Sequence, residues 1–362
     1  MRLLLVLLLA LLLAPPAQAA FVGLEVDGGA IDEETGEDVI ESIASIGVSD
    51  VTGEVNDLTV RVEGSVVVVT DRAARLEHGK SCAGLPDGSV RCRIPDTDEL
   101  EVGVDAGAGD DAVRVTGARA LGVYVIGGDG SDRLTGGSGD DRLEGGPGAD
   151  VVRGGAGRDV LVGDDASFPN SPQVAPSRDE LDGGAGADTV SFGQRRTGVR
   201  VDLAAGTADE DALVSIEDAQ GGIGDDVLLG TDGPQFFADS DGVDRVEGRG
   251  GNDTIRGAEI VRGGAGNDVL DGSQAQTVSC GEGIDELGQF PRLAPPDCEW
   301  VNGTDSTVAF GRDLLRVRGG GLVLRVTARE RRSRSLRLRA AGVLVGRARQ
   351  PLGEPGKRVR VP

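Results

Sequence analysis

A strict nine-residue glycine repeat is the feature that most constrains what this chain can fold into. Residues 127–165 read GGDGSDRLTGGSGDDRLEGGPGADVVRGGAGRDVLVGDD, in which Gly-Gly occurs four times at intervals of nine. Because Gly loses more conformational freedom on folding than any other residue, such frequent use indicates backbone positions that other residues cannot adopt. The alignment pattern is G-G-x-G-x-D-x-U-x, where U is a large apolar residue. Units that match it begin at Ala106, Gly127, Gly136, Gly145, Gly154, Gly183, Gly221 and Gly263.

Weaker units keep the same phase, which favours a structural repeat over biased composition. They begin at Gly230, Asp239 and Gly248, and each keeps the Gly at the fourth position and an apolar eighth position. The unit from Gly230 has Gln235 where Asp is expected, and the stretch from Val174 keeps only Asp179 and Leu181. These two stretches are expected to be coils that hold no metal.

The repeat predicts an all-β fold, a parallel β-roll. The first six residues of a unit form a tight turn, and the last residues form a very short strand with one apolar side chain facing inward. Two units make one coil of about 18 residues, and stacked coils give two parallel sheets. One unit cannot bury its apolar face alone, so stacking is obligatory.

Stacking places the aspartates of the sixth position above one another. Coils stack at about 4.8 Å, and carboxylates at that spacing repel each other unless a cation lies between them. Carboxylate and carbonyl oxygens suit Ca2+, whereas Zn2+ prefers nitrogen and sulfur. Three pairs have the 18-residue spacing: Asp132/Asp150, Asp141/Asp159 and Asp226/Asp244. Weaker or half sites are expected at Asp253, which faces Gln235, and at Asp268, Asp111 and Asp188.

On these motifs the chain resembles the hemolysin-type (RTX) calcium-binding nonapeptide-repeat family, in particular its secreted, glycine-rich actinobacterial members. The resemblance covers residues 100–300, with residues 187–230 similar to the spacer between repeat blocks and "VSCGEGIDEL" with "APPDCEW" similar to the end segment bounded by cysteines. It implies that the Asp residues named above bind Ca2+ together with turn carbonyls. The glycines that would supply them are Gly128, Gly130, Gly137, Gly139, Gly146, Gly148, Gly155 and Gly157.

The N-terminus and the cysteines predict export. Residues 1–19 combine Arg2, the apolar run 3–13 and the small-residue site "AQA", which is typical of a secretory signal cleaved after Ala19 or Ala20. The run is too short for a comfortable membrane span, so a secreted, extracellular protein is expected. An exported chain favours the disulfides Cys82–Cys92 and Cys280–Cys298 over free thiols. A zinc site is less favoured because neither pair has the short spacing.

The rest of the chain predicts two smaller β segments. Residues 20–104 are Val-rich and are interpreted as a β cap, with a hairpin at "CAGLPDGSVRC" and a helix or loop at "IDEETGEDVIESIASI". Residues 105–304 form the roll with its spacer loops. Residues 305–362 carry 15 Lys/Arg against 4 Asp/Glu and predict an Arg-rich module of about four strands. The Arg side chains of this module either bind an anionic cell-surface polymer, dock against the acidic roll, or reflect an Arg-biased genome.

Charge and residue content argue against nucleic-acid binding and against catalysis. Residues 1–304 have a net charge of −35, which repels phosphates. The chain has one His, His78, which excludes an H-E-x-x-H site, and no G-x-S-x-G motif occurs. The predicted function is a secreted calcium-binding protein with a structural or interaction role. The alternative, a calcium-dependent epimerase or lyase, should line a groove with aromatic residues, which make up only 2% of the chain.

Overall fold

The computed structural model describes most of the repeat region. The described residues are 20–27, 43–50, 55–94, 99–117, 122–164, 177–288, 295, 297–298, 300–302, 306–310, 313–317, 325–326, 335–340 and 343–349. They form two compact units, Met1–Leu228 and Leu229–Pro362. In these residues every regular element is a β-strand, and no helix among them is long and apolar enough to cross a membrane.

The first unit begins with a segment of eight strands. Its strands are β1 (Phe21–Asp27), β2 (Ile43–Ser49), β3 (Asp57–Glu63), β4 (Val66–Asp71), β5 (Glu77–His78), β6 (Cys82–Gly84), β7 (Val90–Arg93) and β8 (Glu99–Asp105). The stretch "NDLTVRVEGSVVVVTD" predicts two short strands around Glu63-Gly64, and these are β3 and β4. The residues 43–46, interpreted as helix or loop, belong to strand β2, and residues 31–42 of that stretch lie outside the described part of the chain.

The repeats of the first unit supply the next thirteen strands. They are β9 (Ala112–Gly117), β10 (Val123–Ile126), β11 (Arg133–Ser138), β12 (Arg142–Glu144), β13 (Val151–Ala156), β14 (Val160–Val162), β15 (Glu180–Ala185), β16 (Thr189–Ser191), β17 (Arg200–Asp202), β18 (Thr207–Ala208), β19 (Asp211–Val214), β20 (Asp218–Gln220) and β21 (Val227–Leu229). The Pro, Asn and Ser residues of the stretch 163–182 predict a surface loop, but strand β15 begins at Glu180, so the last residues of that stretch are strand.

Two parallel sheets form the roll of this unit. In one sheet, β8, β10, β12, β14, β16 and β20 pair in parallel, and in the other β9, β11, β13, β15 and β19 do the same. Arg133 aligns with Val151 and Arg142 with Val160, which is the predicted 18-residue register. The parallel β-roll is therefore confirmed.

The N-terminal segment continues both sheets instead of lying across their ends. Strand β2 pairs in parallel with β8, and β3 pairs in parallel with β9. Beyond them the pairing becomes antiparallel, through β1 on one sheet and through β4, β7 and β6 on the other. The parallel edges of the roll are thus covered by hairpins, which protects them from pairing with other chains.

The second unit repeats the architecture on a smaller scale. Its roll strands are β22 (Phe236–Ala238), β23 (Arg245–Gly250), β24 (Thr254–Arg256), β25 (Ile260–Ala265), β26 (Val269–Asp271), β27 (Thr277–Glu282), β28 (Glu286–Gly288) and β29 (Trp300–Asn302). Strands β22, β24, β26, β28 and β29 pair in parallel, as do β23, β25 and β27.

The Arg-rich segment forms antiparallel strands, as predicted. They are β30 (Ser306–Phe310), β31 (Asp313–Val317), β32 (Arg325–Val326), β33 (Ser335–Ala340) and β34 (Val343–Arg349). Strand β30 pairs with β31, and β33 pairs with both β32 and β34. The domain bounds 1–19, 20–104, 105–304 and 305–362 stay a prediction, and residues 1–19 lie outside the described part of the chain.

One inward apolar residue per strand builds the core. Leu134 aligns with Val152 and Leu181 in one sheet, and all three are fully buried. Leu143, Leu161 and Val190 form the matching column in the other sheet, and Phe237, Ile255, Leu270 and Leu287 do so in the second unit. Each such side chain contributes about 1.5–3 kcal/mol when it leaves water.

Both predicted disulfides are present. Cys82–Cys92 joins β6 to β7 across the hairpin whose turn contains Gly88, and Cys280–Cys298 joins β27 to the segment before β29. No cysteine in the chain is left free. Neither a zinc site nor free thiols remain as alternatives.

Candidate metal centre

The sixth-position aspartates lie immediately before their strands, with their side chains turned into the turn. Asp132, Asp141, Asp150 and Asp159 each precede a strand by one residue and are at most 2% exposed. The glycine pair at the start of each unit leaves room for this inward turn. A Cβ atom on Gly127 would overlap Oδ2 of Asp132, and one on Gly136 would overlap Oδ2 of Asp141.

A hydrogen-bonded column, which we call ladder A, joins the aspartates of alternate units. The backbone N–H of Asp111 donates to Oδ1 of Asp132 at 2.8 Å, and the N–H of Asp132 donates to Oδ1 of Asp150 at 2.8 Å. Asp179 and Asp211 continue the column at 2.9 and 3.0 Å. Each carboxylate therefore caps the backbone of the coil before it in sequence.

A second column, which we call ladder B, joins the aspartates of the remaining nonapeptide repeats in the same roll. The N–H of Val123 donates to Oδ1 of Asp141 at 2.9 Å, and the N–H of Asp141 donates to Oδ1 of Asp159 at 2.9 Å. Asp188 and Glu217 extend the column at 2.8 and 3.0 Å. Asp188 follows Asp159 by 29 residues, so the inserted segment does not break the column.

Ladder C lies in the second unit. The N–H of Gln235 donates to Oδ1 of Asp253 at 2.9 Å, Asp253 donates in the same way to Asp268, and Asp268 to Asp285. Beside it, the N–H of Asp244 donates to Oε2 of Glu259 at 2.9 Å. Asp268 follows Asp253 by 15 residues and still takes the next place in the column.

Two of the three predicted pairs lie within the first unit, and the structure brings both of them together. Asp132 with Asp150 and Asp141 with Asp159 are successive members of ladders A and B. Asp226 belongs to the first unit, where its two oxygens accept from the N–H groups of Val199 and Gly222, and Asp244 belongs to the second unit. The pairing of Asp226 with Asp244 stays a prediction.

Sequence reasoning missed several members of the ladders. Asp211 and Glu217 come from the segment interpreted as a spacer, Glu259 comes from a shortened unit, and Asp285 comes from the end segment bounded by cysteines. Asp179 was expected in a metal-free coil, and it occupies a full place in ladder A. All five are acidic residues two positions before a buried apolar residue, which is Ala219 for Glu217 and a Leu or Val for the other four.

The second carboxylate oxygens fit a hard cation. Within the described residues, these Oδ2 atoms are buried and accept no hydrogen bond, which is costly for an ionised carboxylate. They belong to Asp111, Asp132, Asp141, Asp150, Asp159, Asp179, Asp188, Asp253 and Asp268. A column of inward, unsatisfied carboxylate oxygens is the donor set that Ca2+ takes in proteins.

Burial makes these carboxylates hard to ionise without a cation. Burial raises the pKa of Asp132 and of Asp141 to about 7, and that of Asp150 to about 8. The neighbouring carboxylates of the ladder add repulsion: Asp179 and Asp132 act on Asp150, and Asp159 acts on Asp141. A bound cation would remove both costs because it favours the ionised form.

The eight glycines expected to offer carbonyls stack in four pairs. Gly128 lies under Gly146, Gly130 under Gly148, Gly137 under Gly155, and Gly139 under Gly157. In each pair a Cβ on the later glycine would overlap the carbonyl oxygen of the earlier one. The backbones approach so closely that only glycine fits, while the role of these carbonyls as ligands stays a prediction.

Neutral amides stand at the first place of two ladders. Asn56 precedes Asp111 in ladder A: its N–H donates to Oδ1 of Asp111 at 2.6 Å, and its side chain donates to Asp50 at 2.9 Å. Gln235 opens ladder C, and its Oε1 accepts from the N–H of Thr231 at 3.2 Å. An amide carries no charge and is satisfied by hydrogen bonds alone, while the expectation that the unit from Gly230 holds no metal stays a prediction.

The fold and its acidic ladders define a class, the parallel β-rolls built from metal-binding nonapeptide repeats. The family model for the RTX calcium-binding nonapeptide repeat (4 copies) matches residues 126–161, 177–194, 220–255, 239–270 and 256–275. The match is to that repeat, so the resemblance to the RTX calcium-binding repeats is confirmed over these residues. No curated protein matches the chain.

Proposed function

We propose that this protein is secreted and acts outside the cell as a Ca2+-stabilised structural or interaction protein, without catalytic activity. The observation that carries the proposal is the set of continuous ladders in which buried carboxylates keep one oxygen without a hydrogen bond. Such ladders favour a role in which Ca2+ holds coils together rather than one in which a single site turns over a substrate.

The ladders supply a reason for folding outside the cell. Without a cation, the buried carboxylates repel one another and resist ionisation. Millimolar extracellular Ca2+ neutralises them, and affinities on the order of 10⁻⁴–10⁻³ M are typical of extracellular modules. The repeats would then stay unfolded inside the cell, where Ca2+ is scarce, and fold after export.

Two features support export. Residues 1–19 have the pattern of a secretory signal, and disulfides such as Cys82–Cys92 persist in oxidising compartments. The test is expression with residues 1–19 intact in a bacterial host, followed by mass determination of the exported chain. Loss of residues 1–19 or 1–20 is expected, and a chain retained inside the cell at full mass would contradict export.

The surroundings of the single histidine support a non-catalytic role. His78 accepts at Nε2 from the N–H of Gly84 at 3.0 Å, and its Nδ1 lies 3.0 Å from the carbonyl oxygen of Gly79. Nε2 thus links β5 to β6 and Nδ1 contacts the adjacent backbone, so both ring nitrogens have structural partners, which favours a non-catalytic histidine. Incubation with a panel of polysaccharides should release no reducing ends or unsaturated uronates, and clear turnover would overturn this part of the proposal.

The Arg-rich segment 305–362 is the part of the chain that would carry an interaction with an anionic cell-surface polymer. Its 15 basic residues support that role. Retention of the full chain on an anionic polymer should fall when Arg residues of 335–349 are replaced. It should fall less in a charge-matched variant, in which the same number of charges is changed elsewhere in the chain. Equal retention of the two would remove this partner.

The decisive experiment for the calcium role is a Ca2+ titration of metal-stripped protein, followed by far-UV circular dichroism. The expected result is a rise in β content at sub-millimolar to millimolar Ca2+, with no such rise in Mg2+. A spectrum that is already rich in β-structure and indifferent to Ca2+ would contradict the proposal.

A further inference from the structure

The segment inserted after β14 begins and ends at one cluster of carboxylates. The repeat from Gly154 finishes with β14, and Gly163-Asp164 opens the next turn at the glycine positions of a unit. Ser177 to Asp179 close that turn before β15. Carboxylate oxygens of Asp164, Asp179 and Asp211 lie within 4.8 Å of one another.

Asp179 points into this cluster with an unsatisfied oxygen. Its side chain is 1% exposed, its Oδ1 accepts from the N–H of Asp150, and its Oδ2 accepts no hydrogen bond. A Cβ on Gly163 would overlap that Oδ2, so the oxygen faces the backbone that carries Asp164. Burial of an ionised oxygen in this position is costly unless a cation meets it.

The neighbouring groups do not neutralise the cluster. Ser177 holds Asp164, donating from its N–H at 2.6 Å and from its Oγ, but it brings no charge. Arg195 is close enough to favour the charge on Asp211, but it is itself ion-paired to Asp209 at 2.9 Å. Three carboxylates therefore converge with one buried oxygen free, and each carboxylate oxygen keeps a lone pair for a metal.

We propose that Asp164, Asp179 and Asp211 form a Ca2+ site of a second type, which ties the inserted segment to the roll through three carboxylates. The site rests on the proposed calcium function, and it differs from the repeat sites in its donors. Asp164 stands where a repeat has its second glycine, and Asp211 comes from a segment without the nonapeptide motif. Carboxylate oxygens from three separate stretches suit the large, flexible coordination sphere of Ca2+.

The test counts ions. The full chain is stripped of metal, equilibrated with Ca2+ alone and weighed by native mass spectrometry. Asp164→Asn and Asp211→Asn should each bind one Ca2+ fewer than the unaltered protein. Both variants keep an amide oxygen for the existing hydrogen bonds to Ser177 and to the N–H of Asp179, and circular dichroism in Ca2+ checks that each reaches full β content.

Two control variants separate charge from other effects. Ser177→Ala removes a hydrogen bond to Asp164 but keeps the three carboxylates, and Asp182→Asn removes one negative charge from the outer face of β15. Both should keep the full number of ions. An unchanged count in Asp164→Asn and Asp211→Asn, with Ca2+ still bound elsewhere, would overturn this site alone. A protein that binds no Ca2+ at all would overturn the proposed function as well.

Discussion

Each ladder aspartate has two separate tasks, one for each oxygen. In Asp141, Oδ1 accepts from the N–H of Val123, whereas Oδ2 is buried without a hydrogen bond. Replacing the carboxylate by an amide keeps an acceptor for the first task and removes the charge needed for the second. The two tasks can therefore be separated by one substitution.

Asp141→Asn should have opposite effects in the absence and presence of Ca2+. Burial raises the pKa of Asp141 from 3.8 to about 7, so at pH 8 its ionised form destabilises the metal-free roll. Removing that charge should stabilise the metal-free protein by on the order of 1–3 kcal/mol. The loss of a ligand should weaken Ca2+ binding roughly tenfold. The fraction of folded protein in EDTA, followed by circular dichroism, and calorimetric Ca2+ titration measure the two effects.

Its neighbour is the matched control. Asp140 is exposed, and its Oδ1 accepts from the N–H of Arg158, which an amide can also do. Asp140 acts on Asp141 only through its charge, so Asp140→Asn should have a much smaller effect on both quantities. If Asp141→Asn destabilised the metal-free protein, the carboxylate would stabilise the metal-free fold, contrary to the prediction.

Gly148→Ala should destabilise the roll by roughly 2–4 kcal/mol. Gly148 has φ 139°, and a Cβ there would overlap the carbonyl oxygen of Gly130 in the coil beneath. Gly47→Ala is the control because a Cβ at Gly47 meets nothing within 4 Å. Thermal denaturation in saturating Ca2+ measures both variants, and equal midpoints would show that the coils can move apart at little cost.

The nonapeptide spacing predicted the ladder positions of Asp132 and Asp150, but not those of Asp179 or Asp211. The physical rule that holds throughout is shorter than nine residues: an acidic residue, one outward residue, then an inward apolar residue that fixes the strand. Asp179 precedes Leu181 in this way, as Asp211 precedes Leu213 and Asp285 precedes Leu287. Insertions between such triplets leave the stacked backbone unchanged, so sequence distance alone could not identify these members.

At the scale of elements, the two sheets use the same motif differently. Strand β12 has the three residues expected of a short strand, whereas β11 runs for six residues through Gly136 and Gly137. The pairing of Gly137 with Gly155 continues the parallel ladder into the turn. The repeats that supply the two sheets have the same sequence motif. Only the structure therefore shows in which sheet the glycine pair belongs to the strand.

The Cys82–Cys92 disulfide should stabilise the first unit through its outermost hairpin. The bond closes a loop with a sequence separation of 10 at the end of the second sheet, where β6 has no strand beyond it in the described order. Cys82→Ser with Cys92→Ser should lower the free energy of unfolding by about 2–3 kcal/mol. Urea denaturation in Ca2+ measures the loss, and reducing agent should have little further effect on this hairpin. No change would mean that the hairpin does not take part in cooperative unfolding.

At the scale of the molecule, the acidic ladders set how stability depends on pH. Burial raises the pKa of Asp132, Asp141, Asp179 and Asp253 to about 7, so in the metal-free fold the protonated forms are favoured. Their contribution is complete below pH 4 and is lost as the pH rises through 7. The metal-free protein should therefore become less stable between pH 5 and pH 8.

Ca2+ should reverse this slope. Protons and Ca2+ compete for the same carboxylates, so binding strengthens as the pH rises and the loaded protein should be more stable at pH 8 than at pH 5. Thermal denaturation at both pH values, in EDTA and in Ca2+, measures the four conditions. Parallel slopes with and without Ca2+ would show that the ladder carboxylates do not hold the ion.

The direction of the ladders has a consequence for how the molecule is built. The N–H of Asp132 donates to the carboxylate of Asp150, and the N–H of Asp150 donates to that of Asp179. Each coil therefore gains its last hydrogen-bond acceptor from the coil that follows it in sequence. A chain that folds in sequence order once it meets Ca2+ outside the cell therefore lengthens its roll at one end only, like a polymer filament with a single growing end. The unfinished end moves toward the C-terminus as folding proceeds, while the first place of ladder A is already taken by Asn56.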